Sequence, residues 1–238
     1  MFSAFGEVCR SPLLKGIAAE TMQSLSASVK RRCLPRKGAI LSSEELSDKL
    51  YVVLSGQLKM LRPSVSGDET LQQRLTEGDP FCLVSMVAGG HCGSYGESLG
   101  SCTLLCWSHR LFISMMEQDH RLHMNVLNLL ASQVKVERHM RCLSQCSNVG
   151  ARVAGYLLFL QEAQGDAETI DLRPITLSAQ ELGMARETMS RTFSSFERSG
   201  LVHCRRGVIT ICDHERLQLI AEGMDGRCSS DSALCLVD

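Results

Sequence analysis

Between Asp119 and Asn148, apolar residues fall at Leu122, Val126, Leu129, Val136, Met140 and Leu143, with Gln133 the one polar member of the series. Steps alternating between four and three line up along one stripe of an α-helix, so a long helix is expected over 119–147. Such a stripe either packs onto its own domain or meets a second helix in an a/d seam, where a single polar residue fixes register. Upstream the period changes. Leu50-Tyr51-Val52-Val53-Leu54 is apolar throughout and ends at Ser55-Gly56, which predicts a buried strand. A second strand continues through Leu58, Lys59, Met60 and Leu61, and Thr103-Leu104-Leu105-Cys106-Trp107 closes the set. Ser66-Gly67-Asp68 and Glu77-Gly78-Asp79-Pro80 carry turn chemistry. Many short strands between glycine turns predict a compact antiparallel barrel. Ahead of it, Ile17, Met22, Leu25 and Val29 suit a helical arm over 1–30, and Ser108 is expected to cap a short helix to Glu117.

Downstream of the seam, Asn148–Gly150 reads as a hinge, and Arg152–Gln161 as a helix with Val153, Leu157, Leu158 and Leu160. Gln164–Asp171 is polar and acidic and reads as a loop. Ala179 and Gly183 stand four apart with Leu182 between, the spacing of a helix that passes close to another and then turns. Met189, Phe193 and Phe196 recur at helical spacing, and Arg186, Glu187, Ser190 and Arg191 cluster at the start of the same helix on its other side. Leu201–His203, a turn at Arg205-Arg206-Gly207 and Val208–Ile211 predict a short hairpin, and Asp213 caps a last helix through Leu217 and Ile220. Helix, tight turn, polar-headed helix and hairpin are the parts of a winged helix-turn-helix, in which the N-terminal residues of the second helix meet base edges.

Composition narrows this reading. Hydrophobic residues make up 44% and charged residues 21%, as in an ordinary globular protein. The formal charge is -1, and 148–222 holds eight arginines against ten acids, so bulk attraction to nucleic acid is absent. Between 184 and 207 the balance reverses to five arginines against two glutamates, a local patch suited to selective contact. No secretion signal or membrane-length apolar run is evident, which sets the expected location as cytoplasmic and the twelve cysteines as thiols rather than a disulfide frame.

Arg186-Glu187-Thr188-Met189-Ser190-Arg191 resembles the recognition-helix core of the CRP/FNR family of bacterial transcription regulators. The resemblance extends over about residues 35–222. Gly38, Ile40, Asp48, Leu50, Tyr51, Val53 and Gly56 resemble the first half of a cyclic-nucleotide-binding β-roll, and Gly78-Asp79-x-Phe81 its lead-in to the phosphate cassette. It implies an α+β chain: an N-terminal arm and antiparallel β-roll sensor domain over 1–118, a long dimerisation helix over 119–147 and a C-terminal winged helix-turn-helix over 148–222; the Gly-, Ser- and Asp-rich composition of 223–238 predicts a disordered tail. It further implies a homodimer through 119–147, double-stranded DNA and RNA polymerase as partners, and effector control exerted near Asn148. Members with Arg-Glu-Thr-x-x-Arg commonly read TGTGA half-sites. By that likeness Arg186 and Arg191 contact guanines and Glu187 a cytosine, Thr188 and Ser190 hold phosphates or cap the helix, and Arg205 and Arg206 add phosphate contacts from the wing.

Two departures stand out. Ser178 occupies a position where the family has a hydrophobic residue, so the first helix either tolerates a serine or lacks a turn. The family's cyclic-AMP binders follow the phenylalanine with Gly-Glu and place Arg-Ser farther on. Here Cys82 and Leu83 follow, and His91-Cys92-Gly93-Ser94-Tyr95-Gly96 has no arginine, which argues against cyclic AMP. Cys9 and Cys33 alone do not make the N-terminal cysteine group of the iron–sulfur branch. Other branches bind haem in or near the roll, which makes haem the candidate cofactor and Met86, His91 and Cys92 the candidate effector-binding residues. A plain surface loop and a thiol-based redox switch are the alternatives. No nucleophile elbow, phosphate loop or His-Glu-x-x-His motif points to an enzyme, and Asp119, His120 and His123 suit capping and solvation better than a metal. An effector-binding roll acting through protein partners, without specific DNA binding, is the rival reading. It leaves Arg186, Glu187 and Arg191 unexplained.

Overall fold

The computed structural model describes residues 11–63, 67, 69–165, 167–172 and 174–223. Expectations for residues 1–10, for the turn residues Ser66 and Asp68, and for the tail beyond Gly223 lie outside the described residues. The chain forms two compact units that divide between Lys135 and Val136.

In the first unit a 3-10 turn (Pro12–Leu14) and α1 (Ala19–Ser28) precede β1 (Lys30–Leu34), β2 (Ile40–Leu41), α2 (Ser43–Leu46), β3 (Lys49–Ser55), β4 (Leu58–Pro63), β5 (Glu69–Leu75), β6 (Pro80–Phe81), α3 (Leu83–Ala88), β7 (Tyr95–Ser98) and β8 (Cys102–Ser108). Two four-stranded sheets, ordered β1-β8-β3-β6 and β2-β7-β4-β5, pair antiparallel throughout. The unbroken apolar run of β3 now has its reason. Alternate side chains point to opposite faces of a strand, and both faces of β3 are buried. Tyr51 and Val53 join Leu104, Cys106, Leu58 and Phe81 inside the roll. Leu50 and Val52 join Leu105 and Trp107 in a second cluster under the helices. The Tyr51 ring stacks on Phe81 with centroids 5.1 Å apart, and its hydroxyl donates to the Glu45 carbonyl at 2.6 Å. Gly56 is obligatory: its φ is +87°, and a Cβ there would stand 2.3 Å from the Ser101 carbonyl oxygen.

Two helices follow, α4 (His109–Gln118) and α5 (His120–Gln145), with Asp119 between them. The Asp119 carboxylate accepts from the backbone N–H of Arg121 and Leu122 and, across the fold, from Ala18 N–H at 2.8 Å. One side chain thus caps α5 and ties down the N-terminal arm, with Asn125 adding two bonds to the Leu13 and Lys15 carbonyls.

The seam expected along α5 needs correction. Leu122 and Val126 are buried in the Trp107 cluster of their own unit, with Leu129 against it. Met140 and Leu143 pack on the core of the second unit. The large apolar residues left exposed on α5 are Leu127, Val134 and Val136, and two of these lie one position off the expected series. A repeat of three and four identifies an apolar stripe but not what covers it, and here the chain covers much of the stripe itself.

The second unit holds α6 (Val149–Ala163), β9 (Thr169–Asp171), α7 (Ile175–Glu181), α8 (Arg186–Arg198), β10 (Val202–Arg205), β11 (Val208–Ile211) and α9 (His214–Ala221), with an antiparallel sheet ordered β10-β11-β9. Strand β9 corrects the expectation of a loop over 164–171: Ile170 is buried and pairs with Ile209. Asn148 caps α6 by accepting from Ala151 N–H, and the Arg152 guanidinium donates twice to the Cys146 carbonyl, so the break after α5 is a structured corner. The end of α5 passes so close to α6 that a Cβ on Gly155 would meet Leu143 at 2.7 Å.

Candidate nucleic-acid interface

Helix α8 is built from its buried face outward. Met189, Phe193 and Phe196 are almost wholly buried among Val153, Leu157, Leu182, Leu201 and Ile209, and this spacing fixes which side of the helix faces water. Arg186, Glu187, Ser190 and Arg191 are all exposed on the first turns, with Ser194 and Arg198 farther along; Thr188 is half-buried. Among the described residues no ion pair engages Arg186 or Arg191, although the Arg191 Nε donates weakly to the Glu187 carbonyl at 3.4 Å. The N-cap position is Ala185, whose side chain makes no capping bond, so the first N–H groups of α8 are not satisfied from that side.

The preceding helix holds α8 in place. Gly183, at φ +61°, turns the corner, and Met184 N–H returns to the Ala179 carbonyl at 3.0 Å. Ser178 is buried within the seven-residue helix α7 between Leu177 and Ala179, so the helix runs through the serine without a break. The Tyr156 hydroxyl bonds the Glu181 carboxylate and pins α6 to the end of α7.

The wing is attached by a residue that spacing did not single out. Glu197, on the last turn of α8, accepts from Cys204 N–H at 3.0 Å and lies 3.3 Å from His203 Nδ1, so β10 hangs from α8. A glutamate seven residues before the strand residue that it bonds gives no local pattern to read. At the tip, Arg206 (φ 53°) and Gly207 (φ 81°) form the turn with two left-handed residues that suits a tight hairpin. Arg205 and Arg206 are exposed, and the Gly207 carbonyl accepts from Leu172 N–H, tying the tip to the end of β9.

The effector-binding residues expected in the roll do not converge. Met86 is buried in the Trp107 cluster. His91 is exposed and shares a hydrogen bond with the Ser47 hydroxyl at 3.3 Å. Cys92 packs on the other cluster, inside the roll, beside Cys82. A cavity of about 130 Å³ next to α3 is lined by Asp48, Lys49, Ser85, Met86, Gly89, Gly90 and His109. That is small beside the ~300–1,000 Å³ of ligand pockets, and His91 and Cys92 do not line it. These residues do not fit haem. Among the described residues no group of three or more His, Cys, Asp or Glu could hold a metal ion, and none of the described helices is long and apolar enough to cross a membrane. Cys82 keeps a left-handed backbone (φ 67°), the conformation for which glycine is suited, while Leu83 is buried and offers no carboxylate to a ribose.

Residues 31–119 match the family model described as a cyclic nucleotide-binding domain, and residues 151–220 the model described as a Crp-like helix-turn-helix domain. The chain is similar to the cyclic AMP receptor protein of Thermus thermophilus, 26% identical over 217 residues that take in 90% of this chain and 98% of that one. It is also similar to the fumarate and nitrate reduction regulatory protein of Escherichia coli, 24% identical over 84% of this chain and 82% of that one. Among solved structures, a CooA mutant from Carboxydothermus hydrogenoformans shares the fold with a TM-score of 0.69 at 17% identity, covering 84% of this chain and 90% of that one. FixK2 from Bradyrhizobium japonicum shares it with a TM-score of 0.65 at 17% identity, covering 81% and 96%.

Proposed function

The chain belongs to the CRP/FNR family of DNA-binding transcription regulators, and on that premise we propose that it binds a two-fold-symmetric DNA site as a homodimer, under an effector other than cyclic AMP. The observation that carries this reading is the exposed quartet Arg186, Glu187, Ser190 and Arg191 on the first turns of a helix whose opposite face is locked in the core. Arginine is the natural bidentate partner of guanine, and glutamate accepts from the cytosine amino group. Arg186 and Arg191 are therefore assigned to guanines and Glu187 to a cytosine on the opposite strand. Thr188 and Ser190 are assigned to phosphates or to the helix start, and Arg205 and Arg206 to phosphates beside the wing.

A dimer reads each half-site once, with the half-sites about one helical turn apart. RNA polymerase is the protein partner that family membership makes natural. The effector reading rests on Cys82 and Leu83, which supply neither the glycine approach nor the ribose acceptor of a cyclic-AMP cassette. Selection from a random DNA library tests the whole reading. Enrichment of a palindrome with TGTGA-like halves is expected, and added cyclic AMP changes neither the sequence nor the amount retained. Enrichment of no symmetric site, with the roll tested in both thiol and oxidised forms, overturns it.

A further inference from the structure

The two strands of the wing are anchored by different means. Strand β11 pairs with β9 through Val208, Ile209 and Thr210, and at the tip the Gly207 carbonyl accepts from Leu172 N–H. Strand β10 is the outer strand of the sheet, so alternate backbone N–H groups on it point away from the ladder. One of these, Cys204 N–H, donates to Glu197 Oε1 of α8 at 3.0 Å, and the same oxygen lies 3.3 Å from His203 Nδ1. Apolar packing of the hairpin on the core fades toward the tip. Val202 is buried with Phe193 and Phe196, Cys204 is half-buried, and Arg205 is exposed. Among the described residues the Glu197 carboxylate is thus the last hydrogen-bonded link from α8 before Arg205 and Arg206.

On local grounds a carboxylate is a poor choice at this place. Glu197 stands in the last turn of α8, where the helix dipole disfavours an anion. It also lies in a unit assigned to a polyanion, which it repels. The pair that it forms with His203 is solvent-exposed on both sides, so that pair adds little stability. What the side chain supplies is an acceptor at a defined point, and a charge-assisted bond to a backbone N–H is short and directional. We propose that Glu197 is a positioning residue for the DNA contacts of the wing. Through Cys204 N–H it sets β10 against the end of α8, so that Arg205 and Arg206 meet phosphates at a fixed offset from the bases assigned to Arg186 and Arg191. This rests on the reading of α8 and the wing as a DNA interface, and adds to it the residue that holds the two parts in register.

Two variants of the full chain separate the tether from the charge. Glu197→Gln and Glu197→Ala both remove a negative charge, which by itself tightens binding to DNA, but the glutamine oxygen still accepts from Cys204 N–H. In the free protein, amide hydrogen exchange at Cys204 is expected to be faster in Glu197→Ala than in wild type or Glu197→Gln, with the Met189 and Phe193 amides unchanged in all three. On the site selected by the wild-type chain, Glu197→Ala is expected to bind more weakly than Glu197→Gln, by the same factor on every single-base variant. Its salt slope should be lower by about one to two per copy, the loss of the Arg205 and Arg206 phosphate contacts. Arg206→Ala should then cost a smaller factor in the alanine background than in the glutamine background. Equal affinity, equal salt slope and equal Arg206→Ala cost in the two backgrounds overturn the proposal. So does a Cys204 amide that exchanges alike in all three proteins, or a Glu197→Ala chain in which the Met189 and Phe193 amides loosen too, since the residue would then prop the fold rather than place the wing. A wild-type chain that selects no site fails the DNA-binding reading and this proposal with it, an outcome distinct from a wild-type chain that selects a site on which the two variants behave alike.

Discussion

Arg191 and Arg206 are both exposed arginines of the second unit, and the difference between them is what each can reach. Arg191 projects from a helix whose rotation is fixed by Met189 and Phe193, so on the proposed reading its guanidinium has a defined approach to one base pair. Arg206 sits at a hairpin tip, where a cation meets phosphate regardless of sequence. Arg191→Ala should cost about 1–3 kcal/mol on the selected site and relax choice at one base pair. Arg206→Ala should weaken all sequences alike and lower the salt slope by about one per copy. Alanine accepts the left-handed turn no better than arginine, so that change isolates the side chain. Competition binding on single-base variants of the site separates the two, and loss of discrimination in Arg206→Ala would reverse the assignment. Asp119 tests the fold in the same way. Burial works to raise its carboxyl, but bonds from Ala18, Thr21, Leu122 and Arg121 outweigh burial and hold it below the usual 3.8. A carboxyl depressed on folding stabilises above its unfolded pKa, and the benefit is lost as pH falls through the folded value. Asp119→Ala should therefore destabilise the first unit by about 0.5–2 kcal/mol at pH 7, the ordinary cost of a lost cap. Denaturant melts of wild type and variant should converge in acid below 3.8. A constant difference from neutral pH to strong acid would mean that packing, not charge, sets the effect.

At the scale of the element, α5 is the helix whose existence was plain and whose contacts were not. Leu122 and Val126 serve the roll, while Leu127, the half-buried Leu130, Ala131 and Val134 form a second stripe at helical spacing that the chain leaves partly open. If a second copy covers that stripe, Leu127→Glu with Val134→Glu should give monomers by sedimentation with the roll's melting unchanged. Val126→Glu should instead unfold the first unit, because an unpaired charge would enter its core. A dimer that survives the double change would exclude this stripe as the interface. The same distinction governs what else was legible. Periodicity announces a face, so β3, β8 and α8 were readable from Leu50–Leu54, Thr103–Trp107 and Met189–Phe196. It is silent on short or long-range features. Strand β9 has one buried residue, Ile170, too few to show a period. The bond from Glu197 to Cys204 depends on the fold bringing the strand back to the helix end. Met86, six residues before Cys92, packs in the Trp107 cluster, while Cys92 packs against the roll interior.

For the whole molecule, the charge distribution decides how binding responds to salt. The chain carries a net charge of -1, and between 184 and 207 five arginines stand against two glutamates. On the proposed reading each copy brings Arg205 and Arg206 to phosphates, and Arg198 is exposed on the same helix as Arg186 and Arg191. A dimer then neutralises about four to six phosphates, which gives log K against log salt a slope of roughly -4 to -5. Affinity for the selected site should fall by about 10²–10³-fold between 50 and 200 mM salt. Unrelated duplex should be retained only weakly at the upper end, since no broad positive field surrounds the arginines. Fluorescence anisotropy across that salt range measures both quantities. A slope near -10, or comparable retention of unrelated duplex at 200 mM, would mean that the phosphate contacts extend well beyond α8 and the wing, and that specificity does not rest on so local a patch.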